Sequence, residues 1–231
     1  CIRDRFYNVS VIKEWGLKRR KCKKCGSWFW SIEKETCGDT ACEGGYKFIG
    51  LNDRGWDFLE AIEKWERFFE RNKHKVIEPY PVVARWRDDV FLVNASIYDF
   101  QPHVTSGLVP PPANPLVISQ PCIRLVDTDE VGRTTRHLTG FEMMAHHAFN
   151  TPEREVYWID KTVELFHEYA TTVLGVRDEE ITYKEGFWEG GGNAGPDVEP
   201  MIGGLEVATL VFMNLRVTPS GYEEMPNKVV D

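Results

Sequence analysis

Residues 119–150 contain two apolar stretches separated by a polar loop, and this order limits the folds that the chain can adopt. Residues 122–126 (CIRLV) have the composition of a strand. A polar loop follows over residues 127–135, and residues 136–144 return with a second strand-like pattern. A strand, a loop and a second strand in this order predict an antiparallel hairpin.

The predicted hairpin carries three arginines, Arg124, Arg133 and Arg136. The planar guanidinium binds phosphate oxygens bidentately and keeps its charge, so arginines on such a hairpin suit a polyphosphate ligand. Phe141 lies close in sequence and would offer a flat ring to a nucleobase. In the alternative interpretation, the hairpin is a solvated surface on which the arginines pair with neighbouring acids. Those acids are Asp127, Asp129 and Glu130.

Two cysteine pairs near the N-terminus have the spacing of a metal site. The pairs are Cys22-x2-Cys25 and Cys37-x4-Cys42, and eleven residues separate them. Four thiolates on two turns suit a structural zinc ion in tetrahedral coordination. A module this small buries little apolar surface, so the metal would supply much of its folding energy. The alternative is a set of four reduced cysteines without metal.

Composition restricts the class of protein further. A chain of 231 residues with 42% hydrophobic residues suits one large domain, or a domain with a small appendage. No run of 18 apolar residues is present, which predicts no membrane span. The six cysteines are clustered rather than spread, and the charged first residues do not resemble a secretory signal. We therefore expect a cytoplasmic protein. Because no initiator Met is present, we also expect the chain to be trimmed or incompletely represented at its start.

The charge distribution has one local exception to an acidic average. A net charge of -8 argues against a surface that binds nucleic acid everywhere. Residues 18–24, however, contain six cations in seven positions (KRRKCKK). Such a run can hold a phosphate backbone, and it can equally be an ordinary solvated turn.

Two helices and one buried strand are predicted as scaffold. Residues 52–72 and 160–174 show helical apolar periodicity, and residues 205–215 form a continuous apolar run typical of a central strand. The candidate helix caps are Asn52 or Asp53 and Asp160, with Gly175 as the second stop. The stripe of the first helix, which we interpret as core, contains Phe58, Ile62, Trp65 and Phe69.

Several blocks, in one order along nearly the whole chain, resemble class II aminoacyl-tRNA synthetases and in particular the archaeal-type alanyl-tRNA synthetase family. The hairpin resembles motif 2 of that class. The matching residues are 80–88, 109–116, 120–124, 131–139, 141–143, 190–196 and 203–213. The resemblance implies an α+β fold, an antiparallel sheet flanked by helices, with a small four-cysteine module at its N-terminus. It also implies two domains, residues 1–50 with the four-cysteine module and residues 51–231 as the catalytic domain, incomplete at its C-terminus.

The resemblance implies an ATP site on the hairpin. Arg124 would be the catalytic residue, contacting the α-phosphate of ATP and the incoming carboxylate. Arg136 and His137 would hold the γ-phosphate, and Phe141 would stack on adenine. The last two expected ATP-site positions are Met143, whose backbone would read the adenine edge, and Glu206, a Mg²⁺ candidate.

The resemblance also implies an alanine pocket. Trp188 would form its wall and the glycine loop, with Gly191, its floor. Thr209 falls where bacterial relatives carry asparagine, and Asp231 would pair with the substrate ammonium. A methyl difference gives only about 1–3 kcal/mol of discrimination, so the family needs an editing function, for which the chain has no sequence.

The implied reaction is the activation of alanine with ATP to alanyl-adenylate, followed by transfer to the 3′ end of tRNA(Ala). Because the alanine carboxylate is the nucleophile, the protein must position two anions and stabilise charge on phosphorus. The third motif of the class would begin after Asp231, so we expect a longer chain or a partner subunit to supply it. We expect the 231 residues alone to activate alanine weakly or not at all. The alternative is a non-catalytic module that binds ATP, an amino acid or RNA.

Overall fold

The structure is a computed structural model, which describes residues 7–47 and 55–231. The chain divides into two compact units. Unit 1 contains Cys1–Trp56 and Tyr157–Glu224, together with Val230, and unit 2 contains Asp57–Val156 and Met225–Val229, together with Asp231. The predicted domain boundary at residue 50 lies outside the described residues and stays a prediction. Within the described residues, no helix has both the length and the apolar content needed to cross a membrane.

Strands dominate the described residues. In chain order they are β1 (Lys18–Lys21), β2 (Trp28–Ser31), β3 (Lys75–Val76), β4 (Leu116–Ile123), β5 (Gly140–Asn150), β6 (Ile181–Gly190), β7 (Asn193–Ile202), β8 (Leu205–Glu206), β9 (Leu210–Thr218) and β10 (Gly221–Val230). The α-helices are α1 (Ser10–Glu14), α2 (Thr40–Glu43), α3 (Phe58–Arg71) and α4 (Ile159–Glu168).

Pairing within each unit is mainly antiparallel. In unit 1 the strand order is β1-β2-β6-β7-β9, with β8 paired to β7. In unit 2, β4 pairs antiparallel with β5, and the two-residue β3 runs parallel to β4. The last strand, β10, contributes Gly221–Glu224 to unit 1 and Met225–Val229 to unit 2. This confirms the predicted α+β class with a large antiparallel sheet.

Helix α3 begins later than the periodicity predicts. The candidate caps Asn52 and Asp53 lie outside the described residues, and the observed N-cap is Asp57. Its carboxylate accepts a hydrogen bond from the Glu60 N–H at 2.8 Å, and the Glu60 carboxylate accepts one from the Asp57 N–H at 3.0 Å. This reciprocal capping box explains why the helix starts at Phe58. Phe58 is therefore a first-turn residue and 64% exposed, so its assignment to the core was wrong.

Helix α4 corrects a second cap assignment. Asp160 was predicted to cap its own helix, but the N-cap is Trp158, which makes no side-chain cap bond. The Asp160 carboxylate instead accepts hydrogen bonds from the Ser10 and Val11 N–H groups, at 2.6 and 3.4 Å. It therefore caps α1, where the backbone donors lack partners of their own. After Glu168 the chain makes a π-helical turn, Tyr169–Val173, and ends near Gly175 (φ 64°) as expected.

The apolar run of residues 205–215 is not one strand. Strand β8 ends at Glu206 and β9 begins at Leu210, so residues 207–209 leave the ladder. In this break the Val207 N–H donates to the Pro200 carbonyl at 3.0 Å, and the Thr209 hydroxyl donates to the Glu206 carboxylate. Hydropathy does not report this side-chain bond, which is why the break was missed.

Candidate functional site

The loop between β4 and β5 is longer than the sequence predicts. Strand β4 ends at Ile123 and β5 starts at Gly140, so residues 124–139 connect them. Asp127 and Thr135 adopt left-handed conformations, with φ of 51° and 57°, and such residues interrupt strand geometry. Arg124 and Arg136, predicted on the two strands, therefore lie in the loop, where Arg124 is its first residue, and Arg133 lies in the loop as predicted.

Arg124 is held at the base of this loop. Its N–H donates to the Thr139 carbonyl at 2.9 Å, and its Nε donates to the Asn94 carbonyl at 2.8 Å. The guanidinium carbon lies 5.0 Å from the centroid of the Phe141 ring, within cation–π distance. The fold thus brings together the residues predicted to meet the α-phosphate and the adenine. Neither Arg124 nor Arg133 forms an ion pair with the nearby loop acids in the described part of the chain.

Phe141 and Met143 point to the same face of β5 because they are two residues apart. Phe141 is paired in register with Cys122, and Met143 is paired with Gln120. Both residues pack on a small core that includes Cys122, and the Met143 sulfur accepts a hydrogen bond from the Ser96 N–H at 3.3 Å. Cys122 is 1% exposed, which confirms the prediction of a small buried apolar residue, and burial raises its pKa to about 12.

Arg136 and His137 are organised by the Thr134 hydroxyl. This oxygen accepts hydrogen bonds from the Arg136 and His137 N–H groups, at 3.2 and 3.1 Å. It also lies 2.7 Å from Nδ1 of the His137 ring. The bonds form a compact turn of the kind that threonine hydroxyls favour. The contact of Arg136 and His137 with a γ-phosphate stays a prediction.

Asp231 lies within unit 2 beside a buried histidine. Its Oδ1 is 3.3 Å from Nδ1 of His147, and the Nε2 of that ring is 3.2 Å from the Ser96 hydroxyl. The Asp231 side chain is only 13% exposed. Burial raises its pKa to about 7, and the charge of Arg124 counteracts part of this rise. A carboxylate in this setting is stabilised by a cationic ligand, which fits the predicted pairing with an ammonium group.

The two adjacent histidines of β5, His146 and His147, lie in different surroundings. His146 stacks on Phe69 with ring centroids 4.5 Å apart, whereas His147 faces Ser96 and Asp231. Burial lowers the pKa of His146 well below its ordinary value.

In unit 1, the glycine-rich segment forms a hairpin rather than an open loop. Strands β6 and β7 are joined by Gly191 and Gly192, whose φ angles of 57° and 88° both lie in the left-handed region. Two-residue hairpin turns require this geometry and favour glycine. Trp188 lies over Gly190, where an added Cβ would come within 2.5 Å of the indole. Trp188 and Gly191 are therefore near the same hairpin tip, although their contact with alanine stays a prediction.

A group of carboxylates near this hairpin was not identified from the sequence. A Cβ added at Gly186 would meet the Asp197 carboxylate at 2.1 Å and the Glu199 carboxylate at 2.8 Å. Asp197 is 3% exposed, and its Oδ1 has no hydrogen-bond partner among the described residues. Burial raises the pKa of Asp197 to about 7, with further contributions from Glu199 and Glu206. The only sequence signal was the alternation Asp197-x-Glu199, which places both side chains on one strand face.

The predicted Mg²⁺ candidate Glu206 belongs to this group. It accepts the hydrogen bond from Thr209, so two predicted site residues are joined directly. Lys184 offsets part of the negative charge, with its Nζ 2.7 Å from Glu199 and 3.5 Å from Asp39. Carboxylate oxygens of this kind are the ligands that Mg²⁺ uses in proteins.

The four predicted metal ligands come together in unit 1. The Sγ atoms of Cys22, Cys25, Cys37 and Cys42 all lie within 4.8 Å of one another. The Cys25 and Cys37 sulfurs are 3.8 Å apart, and two thiolates on a tetrahedral zinc with bonds of about 2.3 Å are separated by about 3.8 Å. The donor set therefore fits a zinc ion.

Backbone hydrogen bonds position the cysteines of this cluster. The Gly26 N–H donates to the Cys22 carbonyl at 2.9 Å, which closes the first turn, and Cys42 lies on α2, capped by Asp39. Burial acts to raise the pKa of the Cys22 thiol, but backbone N–H groups directed at the sulfur lower it to about 6. The same hydrogen bonds would stabilise a thiolate ligand.

Comparisons with known proteins agree with these features. Residues 60–231 match the family described as tRNA synthetases class II (A). The chain is 60% identical over 225 residues to an alanine–tRNA ligase of Korarchaeum cryptofilum, covering 96% of this chain and 25% of that protein. It is 54% identical over 240 residues to the alanine–tRNA ligase of Archaeoglobus fulgidus, covering 99% of this chain and 26% of that protein. The chain thus spans about a quarter of the length of these relatives.

Proposed function

The chain belongs to the class II tRNA synthetase family, and we propose that it forms part of the aminoacylation region of an alanine–tRNA ligase. The proposed reaction joins alanine to the α-phosphate of ATP and then transfers the alanyl group to the 3′ end of tRNA(Ala). The observation that carries the proposal is the arrangement around Arg124. Its side chain is anchored to Asn94, lies against Phe141 and is within electrostatic reach of Asp231.

Arg124 would bind the two anionic groups that react with each other. The alanine carboxylate and the α-phosphate repel each other, and a fixed guanidinium reduces this repulsion while it aligns them. Phe141 already accepts a cation on its ring, so adenine stacking would place the base and the guanidinium against the same aromatic residue. Arg136 and His137, in the turn organised by Thr134, would hold the γ-phosphate end.

Asp231 would bind the ammonium group of alanine. A mostly buried carboxylate that lacks a strong cationic partner gains from the alanine ammonium, and Nδ1 of His147 lies 3.3 Å from its Oδ1. Trp188 and the Gly190–Gly191 turn would restrict the space around the methyl group, and Thr209 would add a polar contact. Since one methyl changes binding by only about 1–3 kcal/mol, contacts of this kind alone would admit glycine and, to a degree, serine.

Two metal ions are part of the proposal. Glu206, together with the buried Asp197, would hold Mg²⁺, which neutralises phosphate charge when bound. The four cysteines would hold a structural zinc ion. The described cysteines are free thiols rather than disulfides, which supports the cytoplasm as the proposed compartment.

Alanine-dependent exchange of pyrophosphate into ATP tests the activation step. The experiment uses the whole natural protein, because this chain spans about a quarter of its relatives. We expect Arg124→Lys to reduce exchange by roughly 100-fold or more, since lysine cannot reproduce the bidentate fork. The matched control is Arg133→Lys on the same loop, which should retain exchange within a few-fold.

Three outcomes are informative. Equal exchange in both variants would contradict the role of Arg124. Equal loss in both would indicate a loop defect rather than a lost contact. Binding of ATP or alanine by calorimetry without any exchange would favour the alternative, a non-catalytic binding module.

A further inference from the structure

The first two strands of unit 1 form a ribbon with an unusual surface. We define the basic ribbon as β1, β2 and the turn between them, residues 18–31. Strand β1 is the last strand of the order in unit 1, so its outer edge has no strand partner among the described residues. The register pairs Lys21 with Trp28 and Arg19 with Trp30, which places these four side chains on one face. On this face, each of the two cations of β1 therefore lies beside a tryptophan of β2.

Trp28 is the exposed aromatic of this face. It is 36% exposed, and two cations approach its ring, the Arg19 guanidinium carbon at 4.5 Å and the Lys21 Nζ at 5.0 Å from the centroid. Trp30, by contrast, is buried and donates its indole N–H to Glu185 at 2.9 Å. Of the two indoles, Trp30 thus packs in the core. The other remains at the surface with positive charge beside it.

The charges of the ribbon are only partly neutralised. Arg19 forms a two-pronged ion pair with Glu185, with N–O distances of 2.7 and 2.6 Å, and Lys23 pairs with Glu35. Lys18, Lys21 and Lys24 form no ion pair with any described residue. Excess positive charge is therefore concentrated on one edge of a chain whose net charge is -8. An anionic partner is the complement of such an edge.

We propose that the basic ribbon is an RNA-docking surface, in which Lys21 and Lys24 contact backbone phosphates and Trp28 packs against a base or ribose. Lysines along a backbone with an aromatic platform between them are the arrangement by which proteins hold nucleic acid without reading its sequence. RNA is the partner that the observations favour, because the chain belongs to a tRNA synthetase family. The ribbon holds none of the residues proposed for ATP or alanine.

Binding of a tRNA(Ala) transcript at several salt concentrations tests this proposal. The variant Lys21→Glu/Lys24→Glu is compared with Lys73→Glu/Lys75→Glu, which makes the same charge change on exposed positions of unit 2. We expect the ribbon variant to bind at least 10-fold more weakly and to lower the slope of log K against log salt by about 2. The control should keep a slope close to that of the unmodified protein. Zinc content, measured on every variant, verifies that the ribbon is still folded.

A second variant tests the aromatic contact without a charge change. Trp28→Ala should weaken tRNA binding by about 5-fold to 100-fold with little change in the salt slope, and Trp28→Phe should restore most of it. Alanine-dependent pyrophosphate exchange without tRNA should be unaffected in all ribbon variants. This readout separates failure of the ribbon proposal from failure of the proposed activation chemistry.

The proposal is overturned if the two double variants bind the transcript equally. It is also overturned if the ribbon variants bind RNA normally but lose binding to anionic vesicles or to an acidic peptide. Equal weakening of tRNA and of a DNA duplex of the same length would support a backbone contact and exclude recognition of the 2′-hydroxyl.

Discussion

Among the described side chains, Asp99, Asp197 and Asp231 are largely buried carboxylates with raised pKa values. Burial raises the pKa of Asp99 to about 8, and the pKa values of Asp197 and Asp231 to about 7. Asp197 and Asp231 belong to the proposed binding groups, where a metal ion or an ammonium would offset the cost of their charge. Asp99 is 6% exposed, and neither of its oxygens has a hydrogen-bond partner among the described residues. Its burial therefore costs stability whenever it ionises.

Asp99→Asn should change how stability depends on pH. An aspartate in an unfolded chain has a pKa near 3.9, so between about pH 4 and pH 8 the folded state binds more protons at Asp99 than the unfolded state does. Stability therefore falls as pH rises through this window. The variant should remove part of that fall, worth a few kcal/mol at pH 8. The measurement is the urea midpoint at pH 5 and pH 8.

The control for this prediction is Asp129→Asn, which changes an exposed acid of the β4–β5 loop. Its two midpoints should both stay close to those of the unmodified protein. If Asp99→Asn shows the same loss of stability between pH 5 and pH 8 as the unmodified protein, then Asp99 is not the group that titrates.

At the level of elements, the β6–β7 hairpin depends on several glycines, which have no side chain. Gly191 and Gly192 supply the left-handed turn, and Gly190 leaves space for the indole of Trp188. Gly195 lies on β7, where a Cβ would come within 2.0 Å of the backbone carbonyl oxygen of Phe212. A backbone atom of a paired strand cannot move aside as a flexible side chain can. The glycines of this segment therefore have different physical functions.

Gly195→Ala should destabilise the protein by about 1–3 kcal/mol or more, because the new methyl forces β7 and β9 apart. Gly140→Ala is the matched control, since a Cβ there meets no atom within 4 Å. It should change the free energy of unfolding by less than about 0.5 kcal/mol. Thermal unfolding of both variants measures the difference. Equal melting temperatures would show that β7 adjusts without cost.

At the level of the whole molecule, we expect the cysteine cluster to be a local source of stability when it holds a metal ion. The short β1, β2 and α2 elements surround a small buried group containing Cys22, Cys37 and Phe29. Such a group buries little apolar area, so metal coordination would account for much of the order of this region. Unit 2 has its own helix and strands and contains no member of the cluster.

Removal of zinc with a chelator should therefore unfold residues 18–44 before the rest of the chain. Amide hydrogen exchange should rise there and stay low in α3 and β5. Cys37→Ser should lower the zinc content in the same way, whereas Cys122→Ala, which removes a buried thiol outside the cluster, should keep one zinc per chain. Uniform loss of protection across both units would contradict a local role.

Features that depend on short spacing could be predicted from the amino-acid sequence alone. Paired cysteines, a strand–loop–strand pattern around Arg124 and the residues of the synthetase motifs are local signals, and the cluster, the hairpin and the family followed from them. Tertiary structure decided which side chain meets which: Asp160 caps a helix 150 residues away, the Arg124 guanidinium lies on Phe141, and Asp197 shares a strand face with Glu199 beside Gly186. The reason is that backbone preferences act over a few residues, whereas these contacts depend on strand register and on burial that only the folded chain establishes.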